Sequence, residues 1–116
     1  MPEAKVVAPE GDWAVVNAQT GRQVIWVLPS ETVGQPISLA AYKEKTIQIS
    51  GFLDDGDLEG SNDRGEDKEW FVLQDDETGR QLSAPGLYHV KINPLWIRPV
   101  NRRSERDVTF NVIATV

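Results

Sequence analysis

The sequence contains no cysteine and only one histidine among its 116 residues. The absence of cysteine excludes disulfide bridges, thiolate metal ligands and a cysteine nucleophile. The single histidine, His89, lies in an alternating strand-like segment, where an isolated histidine is more often structural than catalytic. Nucleotide-binding loops, the serine nucleophile elbow and zinc-helix motifs are also missing from the sequence. We therefore expect a protein that is not an enzyme and that uses no cofactor or metal.

Long apolar runs and an excess of basic charge are missing as well. No run near the N-terminus has the length of a signal peptide or of a membrane span. The formal net charge is −6, whereas a protein that binds nucleic acid depends on a basic surface. We expect neither a membrane nor a nucleic acid among its partners.

The sequence is rich in short segments that alternate between apolar and polar residues. Residues 46–53 and 108–116 alternate most clearly, and no segment has a sustained helical period. Many short strands separated by turn residues are typical of a β-sandwich. The sequence predicts an all-β protein, a single antiparallel β-sandwich of immunoglobulin-like or jelly-roll-like form over residues 12–116. Residues 1–11 are predicted to be an extended arm that becomes ordered against a partner.

Aromatic residues allow two interpretations. Each tryptophan lies within an apolar strand pattern, so we expect at least three of the four in the core, together with Phe110. Trp70 in particular is predicted to be a core residue. The alternative is a sugar-binding platform, which would require two exposed, coplanar rings on one face. The tryptophans are Trp13, Trp26, Trp70 and Trp96.

Charge is distributed unevenly along the chain. Residues 54–77 hold eleven acidic and two basic residues, a net −9, so the remainder of the chain carries +3. These charges could simply face solvent. They could instead form an acidic edge that meets a basic edge of a neighbouring subunit, which would orient the contact. The candidate partner-contact residues are Pro2, Pro9, Asp54, Asp55, Asp57, Asp63, Arg98, Arg102, Arg103 and Arg106.

The same acidic segments raise the question of calcium. Their order does not match the twelve-residue calcium loop, which places oxygen ligands at alternate positions around a glycine. Turn formation accounts for Asp and Asn here without a metal. The two acidic groups are Asp54, Asp55, Asp57 and Glu59, and then Asp63, Glu66 and Asp67.

Several short motifs occur in a characteristic order between residues 46 and 116. The turn Gly60-Ser61-Asn62-Asp63 is followed by Trp70, by a hairpin and by Ile97-Arg98-Pro99. This order resembles small β-sandwich virion proteins of tailed bacteriophages. The sequence departs from them in the short segment Asp57-Leu58-Glu59, and in a longer, more charged loop after Asp63.

The resemblance implies a structural virion protein without an active site. It suggests a capsid decoration or cement subunit that binds the major capsid protein and stabilises the phage head. Such a protein is made in the cytoplasm of the bacterial host and resides on the capsid surface, and we expect a homo-oligomer, most simply a trimer. Two alternatives remain: a carbohydrate-binding module of a virion appendage, or a head–tail connector or tail component.

Overall fold

The computed structural model describes residues 5–16 and 19–116, and these residues form strands and turns but no helix. No described residue therefore belongs to a helix that could cross a membrane. The strands are β1 (Lys5–Val7), β2 (Gly11–Val16), β3 (Gln19–Leu28), β4 (Thr32–Gly34), β5 (Glu44–Ser50), β6 (Asp55–Ser61), β7 (Phe71–Val72), β8 (Gly86–Val90), β9 (Trp96–Arg103) and β10 (Val108–Thr115).

The strands form two five-stranded sheets. Sheet A has the order β1-β4-β9-β6-β7, and sheet B has the order β2-β3-β10-β5-β8. The pairing is nested, because β3 pairs with β10, β4 with β9, β5 with β8 and β6 with β7, all antiparallel. Nested pairs divided between two sheets are the connectivity of a jelly roll. The prediction of an all-β sandwich is confirmed, in its jelly-roll form.

The core lies between the sheets and follows from the alternation of each strand. In β10 the residues from Val108 to Ala114 are alternately buried and half-buried, with Phe110 fully buried. Phe110 is opposite Trp26 on β3 and opposite Ile49 on β5, so three large side chains meet at the centre of sheet B. The prediction that Phe110 is a core residue is confirmed.

A lysine occupies one of the inward positions. Lys45 shares the inner face of β5 with Ile47 and Ile49 and is completely buried. Its Nζ donates to the backbone oxygen of Tyr42 at 3.2 Å and to the side-chain oxygen of Asn93. Burial lowers the pKa of Lys45, because the charged form loses water. The two hydrogen bonds offset part of the free-energy cost of burying the charged amine.

The described part of the predicted arm belongs to the sandwich. Lys5–Val7 pairs in parallel with β4, and Gln35 N donates to Val7 O at 2.8 Å. Strand β2 starts at Gly11, and Pro9 between the two strands is half-buried. Residues 5–7 of the predicted arm are thus paired within the chain, and the ordering of the arm against a partner stays a prediction. A three-residue strand has too little sequence pattern to be recognised, but it covers a sheet edge that would otherwise be unpaired.

The loop after β7 covers the outer edge of β8. Asp76 N donates to His89 O at 2.9 Å, and the Asp75 carboxylate accepts the backbone N–H of His89 at 2.8 Å. The same carboxylate accepts the backbone and hydroxyl groups of Thr78. Led by the His89 N–H, these donors lower the pKa of Asp75 to about 2. His89 therefore helps to close this edge of sheet B.

Candidate functional site

The outer face of sheet A carries a cluster of charged residues at the junction of β6 and β9. Glu59 is opposite Arg98, and Leu58 is opposite Pro99 in the adjacent pair. Since successive side chains of a strand point to opposite faces, Leu58 faces the core while Glu59 and Arg98 face outward. Four residues, Asp57, Glu59, Arg98 and Arg102, form this charged face.

The two arginines bind the two carboxylates in one continuous network. Arg98 Nε donates to Glu59 Oε1 at 3.1 Å. Arg102 bridges both acids, with Nη1 3.0 Å from Asp57 Oδ2 and Nη2 3.1 Å from Glu59 Oε2. Asp55 lies further away, 3.7 Å from Arg102. The network links β6 to β9 across the outside of sheet A.

Both carboxylates are buried although they face outward. The side chains of Asp57 and Glu59 are only 8% and 7% exposed. Burial raises the pKa of Asp57 to about 6, the neighbouring Glu59 carboxylate adds to the increase, and the hydrogen bond from Arg102 opposes it. Asp57 Oδ1 is buried and has no hydrogen-bond partner among the described residues. Leaving a buried carboxylate oxygen without a hydrogen-bond partner is energetically costly, and this cost disfavours the charged form of Asp57.

Two tryptophans and two cations lie on the same face. The Arg98 guanidinium carbon is 4.2 Å from the centre of the Trp70 ring, and Lys68 Nζ is 5.5 Å from the centre of the Trp96 ring. Both are cation–π contacts. Trp70 and Trp96 are half-buried, and each ring has one side occupied by a cation.

The prediction that at least three tryptophans lie in the core is wrong. Trp26 is fully buried, but Trp13 is 52% exposed, and Trp70 and Trp96 are half-buried on the outside of sheet A. The prediction that Trp70 is a core residue is therefore wrong as well. Alternation in a strand assigns a side chain to one face of a sheet, but it does not show which face is covered by the other sheet.

The Gly60–Asp63 motif holds the loop that carries Lys68 and Trp70. Ser61 Oγ accepts the backbone N–H of Asp63 at 3.1 Å, and Asp63 Oδ2 accepts the N–H of Glu69 at 2.8 Å. Asn62 Oδ1 accepts the N–H of Leu95 at 2.9 Å, which ties the loop to the segment before β9. A Cβ at Gly60 would lie 2.8 Å from Pro94, so the close approach requires glycine. The motif therefore has a structural role in this chain.

The structure separates the predicted contact residues into two groups. Asp57, Arg98 and Arg102 are bound to one another or to Glu59 within the chain, so the acidic and basic stretches meet inside one subunit. That these three residues also contact a neighbouring subunit stays a prediction. Pro2 lies outside the described residues. Asp54, Asp55, Asp63, Arg103 and Arg106 are exposed, and Pro9 is half-buried.

Glu59 and the two half-buried tryptophans were missed as members of a common site. The sequence did contain a signal for this site, because side chains in residues 96–102 alternate between the two faces of the sheet. Trp, Arg, Val and Arg face outward, and Ile, Pro and Asn face inward. Residues 57–61 alternate in the same way. What the sequence did not reveal is that these two alternating segments are neighbours. In the described ranges, no group of three or more histidine or acidic residues is arranged to hold a metal ion.

The fold is similar to that of a known phage-derived protein. The crystal structure of SPBc2 prophage-derived protein YomS superposes on this chain with a TM-score of 0.59. The match covers 86% of this chain and 98% of that one, at 14% sequence identity. No protein-family model and no curated protein sequence matches the chain. The likeness therefore concerns the fold of nearly the whole sandwich.

The raised pKa of Asp57 predicts a specific pH dependence of stability. Because the folded protein binds this proton more tightly than the unfolded chain, Asp57 makes folding less favourable as the pH rises from about 4 to about 6. Replacing Asp57 with Asn should remove this contribution, which is on the order of 3 kcal/mol because the pKa rises by about two units and one unit corresponds to about 1.4 kcal/mol.

The measurement is the free energy of unfolding of the wild type and of Asp57→Asn in urea at pH 4.5 and pH 7. The stability of the variant relative to the wild type should rise between the two pH values. Asp54→Asn, at an exposed position immediately before β6, is the matched control and should leave the pH dependence unchanged. An equal pH dependence in wild type and Asp57→Asn would contradict the assignment.

Proposed function

We propose that this chain is a structural protein of a phage particle, and specifically a decoration subunit that stabilises the head through non-covalent contacts with the major capsid protein. The observation that carries the proposal is the sandwich shared with a prophage-derived protein over 98% of that protein's length. The order of motifs between residues 46 and 116 supports it independently. Fold alone does not imply function, so the specific role depends on the test below.

The charged face joins strands β6 and β9 within the proposed subunit. Arg102 binds Asp57 and Glu59 across two strands, and Arg98 is packed between Glu59 and the Trp70 ring. If the subunit binds the assembled lattice and not the separated proteins, it stabilises the lattice by mass action.

The exposed acidic loop is the surface that we propose contacts the capsid protein. Within residues 62–69 the proposed contact residues are Glu66 and Asp67, which are exposed, and the backbone of the loop is held by the Gly60–Asp63 motif. Contacts made by exposed charges are screened by salt, since the Debye length falls from about 10 Å at 0.1 M to about 3 Å at 1 M. Binding to particles should therefore weaken as salt is raised.

The sugar-binding alternative is less well supported. A stacking platform needs free aromatic faces, whereas Trp70 and Trp96 are half-buried and each is contacted by a cation. Trp13 is the more exposed tryptophan, but its ring folds back over Gly11, where a Cβ would lie 2.2 Å from the ring. A head–tail connector or tail component remains an outcome of the test below.

The test measures the resistance of particles to heat and osmotic shock after the protein is stripped and then restored. We expect stripped heads to open at lower temperature and restored heads to recover. Glu66→Gln/Asp67→Asn should bind particles more weakly than the wild type. The matched control, Glu105→Gln/Asp107→Asn, removes two exposed charges elsewhere and should restore heads normally. Equal resistance of stripped and restored heads, or a copy number of only a few per tail, would refute the decoration role.

A further inference from the structure

Strand β7 leaves one edge of sheet A open. It is the outermost strand of the sheet, with β6 on one side and no described strand on the other. Leu73 N donates to Leu58 O at 3.0 Å. In an antiparallel ladder the backbone groups of the adjacent residue point the other way, so those of Val72 point away from β6. They are therefore oriented to pair with a further strand.

Apolar side chains surround this open edge. Phe71 is 62% exposed and Ile92 is 60% exposed. Ile92 lines two adjoining depressions of about 290 and about 360 Å³, and Phe71 lines the first of them. Val72 and Leu73 line both. An apolar surface beside an unpaired strand edge is a combination that natural sheets avoid unless another chain covers it.

The rim of these depressions is acidic. Asp63 and Glu69 border the depression at Phe71, and Asp76 borders the other. None of the described residues that line either depression is Lys or Arg. An extended segment with small apolar side chains and a basic residue would therefore complement this edge in shape and in charge.

The opposite edge of the same sheet has these properties. Strand β1 contains Lys5 and Val6, both exposed, with Val6 at 61%. Val6 of β1 pairs with Val33 of β4, and Val33 pairs with Val100 of β9. Val100 is opposite Asp57 of β6, which belongs to the outward-facing charged face. Val6 therefore lies on the outer face of sheet A.

Val72 lies on that outer face too, because it is opposite Glu59. By alternation, Lys5 and Phe71 lie on the other side of the sheet. If β1 of a second molecule were added beside β7 with the same faces aligned, Val6 would lie next to Val72. Lys5 would then lie on the side of Phe71 and of the acidic rim.

We propose that copies of this chain associate head to tail, with β1 of one copy added to the β7 edge of the next. Backbone hydrogen bonds would join the two strands, while the Phe71 depression and the acidic rim would select the register. A contact between two different surfaces forms a closed ring when the rotation permits. The proposed association does not depend on where the protein resides. It can therefore be refuted while the decoration role stands, and the decoration role can be refuted while the association stands.

The first test compares two exposed phenylalanines by analytical ultracentrifugation of the full chain across a range of concentrations. Phe71→Ser should raise the dissociation constant of the oligomer by at least about tenfold, as for a residue at the centre of a small interface. Phe52 is 83% exposed, follows β5, and lines neither depression. Phe52→Ser should therefore change the dissociation constant by less than about twofold, within the range of a peripheral position.

The second test reverses the charges. Lys5→Glu and Glu69→Lys should each weaken association, and the double variant should recover it, because the two charges would again be opposite. Far-ultraviolet circular dichroism checks that each variant is folded. A wild type that is monomeric at every concentration, equal effects of Phe71→Ser and Phe52→Ser, or no recovery in the double variant would each overturn the proposal.

Discussion

Replacing Phe110 with alanine should lower the free energy of unfolding by about 3–5 kcal/mol, the range found for removal of a buried aromatic ring. Phe110 is fully buried in β10, between β3 and β5, where it is opposite Trp26 and Ile49. Neither neighbouring strand can move inward without breaking its pairing with β10, so the cavity would remain largely open. A loss of this size is a large fraction of the 5–15 kcal/mol that stabilises a typical domain.

Urea unfolding at pH 7 measures this effect, and the chain supplies a matched control. Phe52→Ala removes the same ring from a position that is 83% exposed, and exposed substitutions usually change stability by about 0.5 kcal/mol or less. Similar losses for Phe110→Ala and Phe52→Ala would show that Phe110 is not packed as described.

Replacing Arg102 with methionine should lower the free energy of unfolding by about 2–3 kcal/mol at pH 7. Removing one partner of a buried ion pair usually costs about 3–5 kcal/mol, because the remaining charge stays buried without a partner. The value here should be lower because the Arg102 side chain is 45% exposed and is partly screened by water. Methionine keeps most of the length of the side chain, so the loss reports mainly on the charge.

Two further variants separate the charge from other effects. Arg103→Met removes a neighbouring exposed arginine that forms no ion pair with the described residues, and it should change stability by no more than about 0.5 kcal/mol. Arg102→Met/Asp57→Asn should recover part of the loss, because Glu59 is then the only buried carboxylate of the charged face and Arg98 still binds it. At pH 5 the loss for Arg102→Met should be smaller than at pH 7, since the Asp57 carboxyl takes up a proton. A loss independent of pH and unaffected by Asp57→Asn would contradict the network.

The alternation of β10 and β5 was sufficient to predict their inward residues, because a strand with one covered face must place its apolar residues at every second position. Phe110, Ile47 and Ile49 are buried as this rule requires. The rule fails for Lys45, which occupies an inward position because Tyr42 and Asn93 supply oxygen acceptors from distant parts of the chain. No local pattern indicates such partners.

The tryptophans show a second limit. Trp26 and Trp96 both lie in strands, yet one is at the centre of the core and the other is half-buried on the outside of sheet A. The difference depends on whether the other sheet covers that face. Neighbouring residues in the chain do not encode this information, because it depends on the packing of the two sheets.

For this chain, composition and alternation were enough to establish the class of fold, the positions of β5 and β10 and the separation of acidic and basic segments. These properties are local, because each depends on residues within one strand or turn. Which strands are neighbours is a long-range property, set by the packing of two sheets around one core. The pairing of β6 with β9 brought Asp57 and Glu59 to Arg98 and Arg102, and so joined charges that are far apart in the sequence into one network within the chain. Burial of those carboxylates, and the pKa of Asp57 that follows from it, exist only after the strands have come together, because desolvation is produced by the whole surrounding structure.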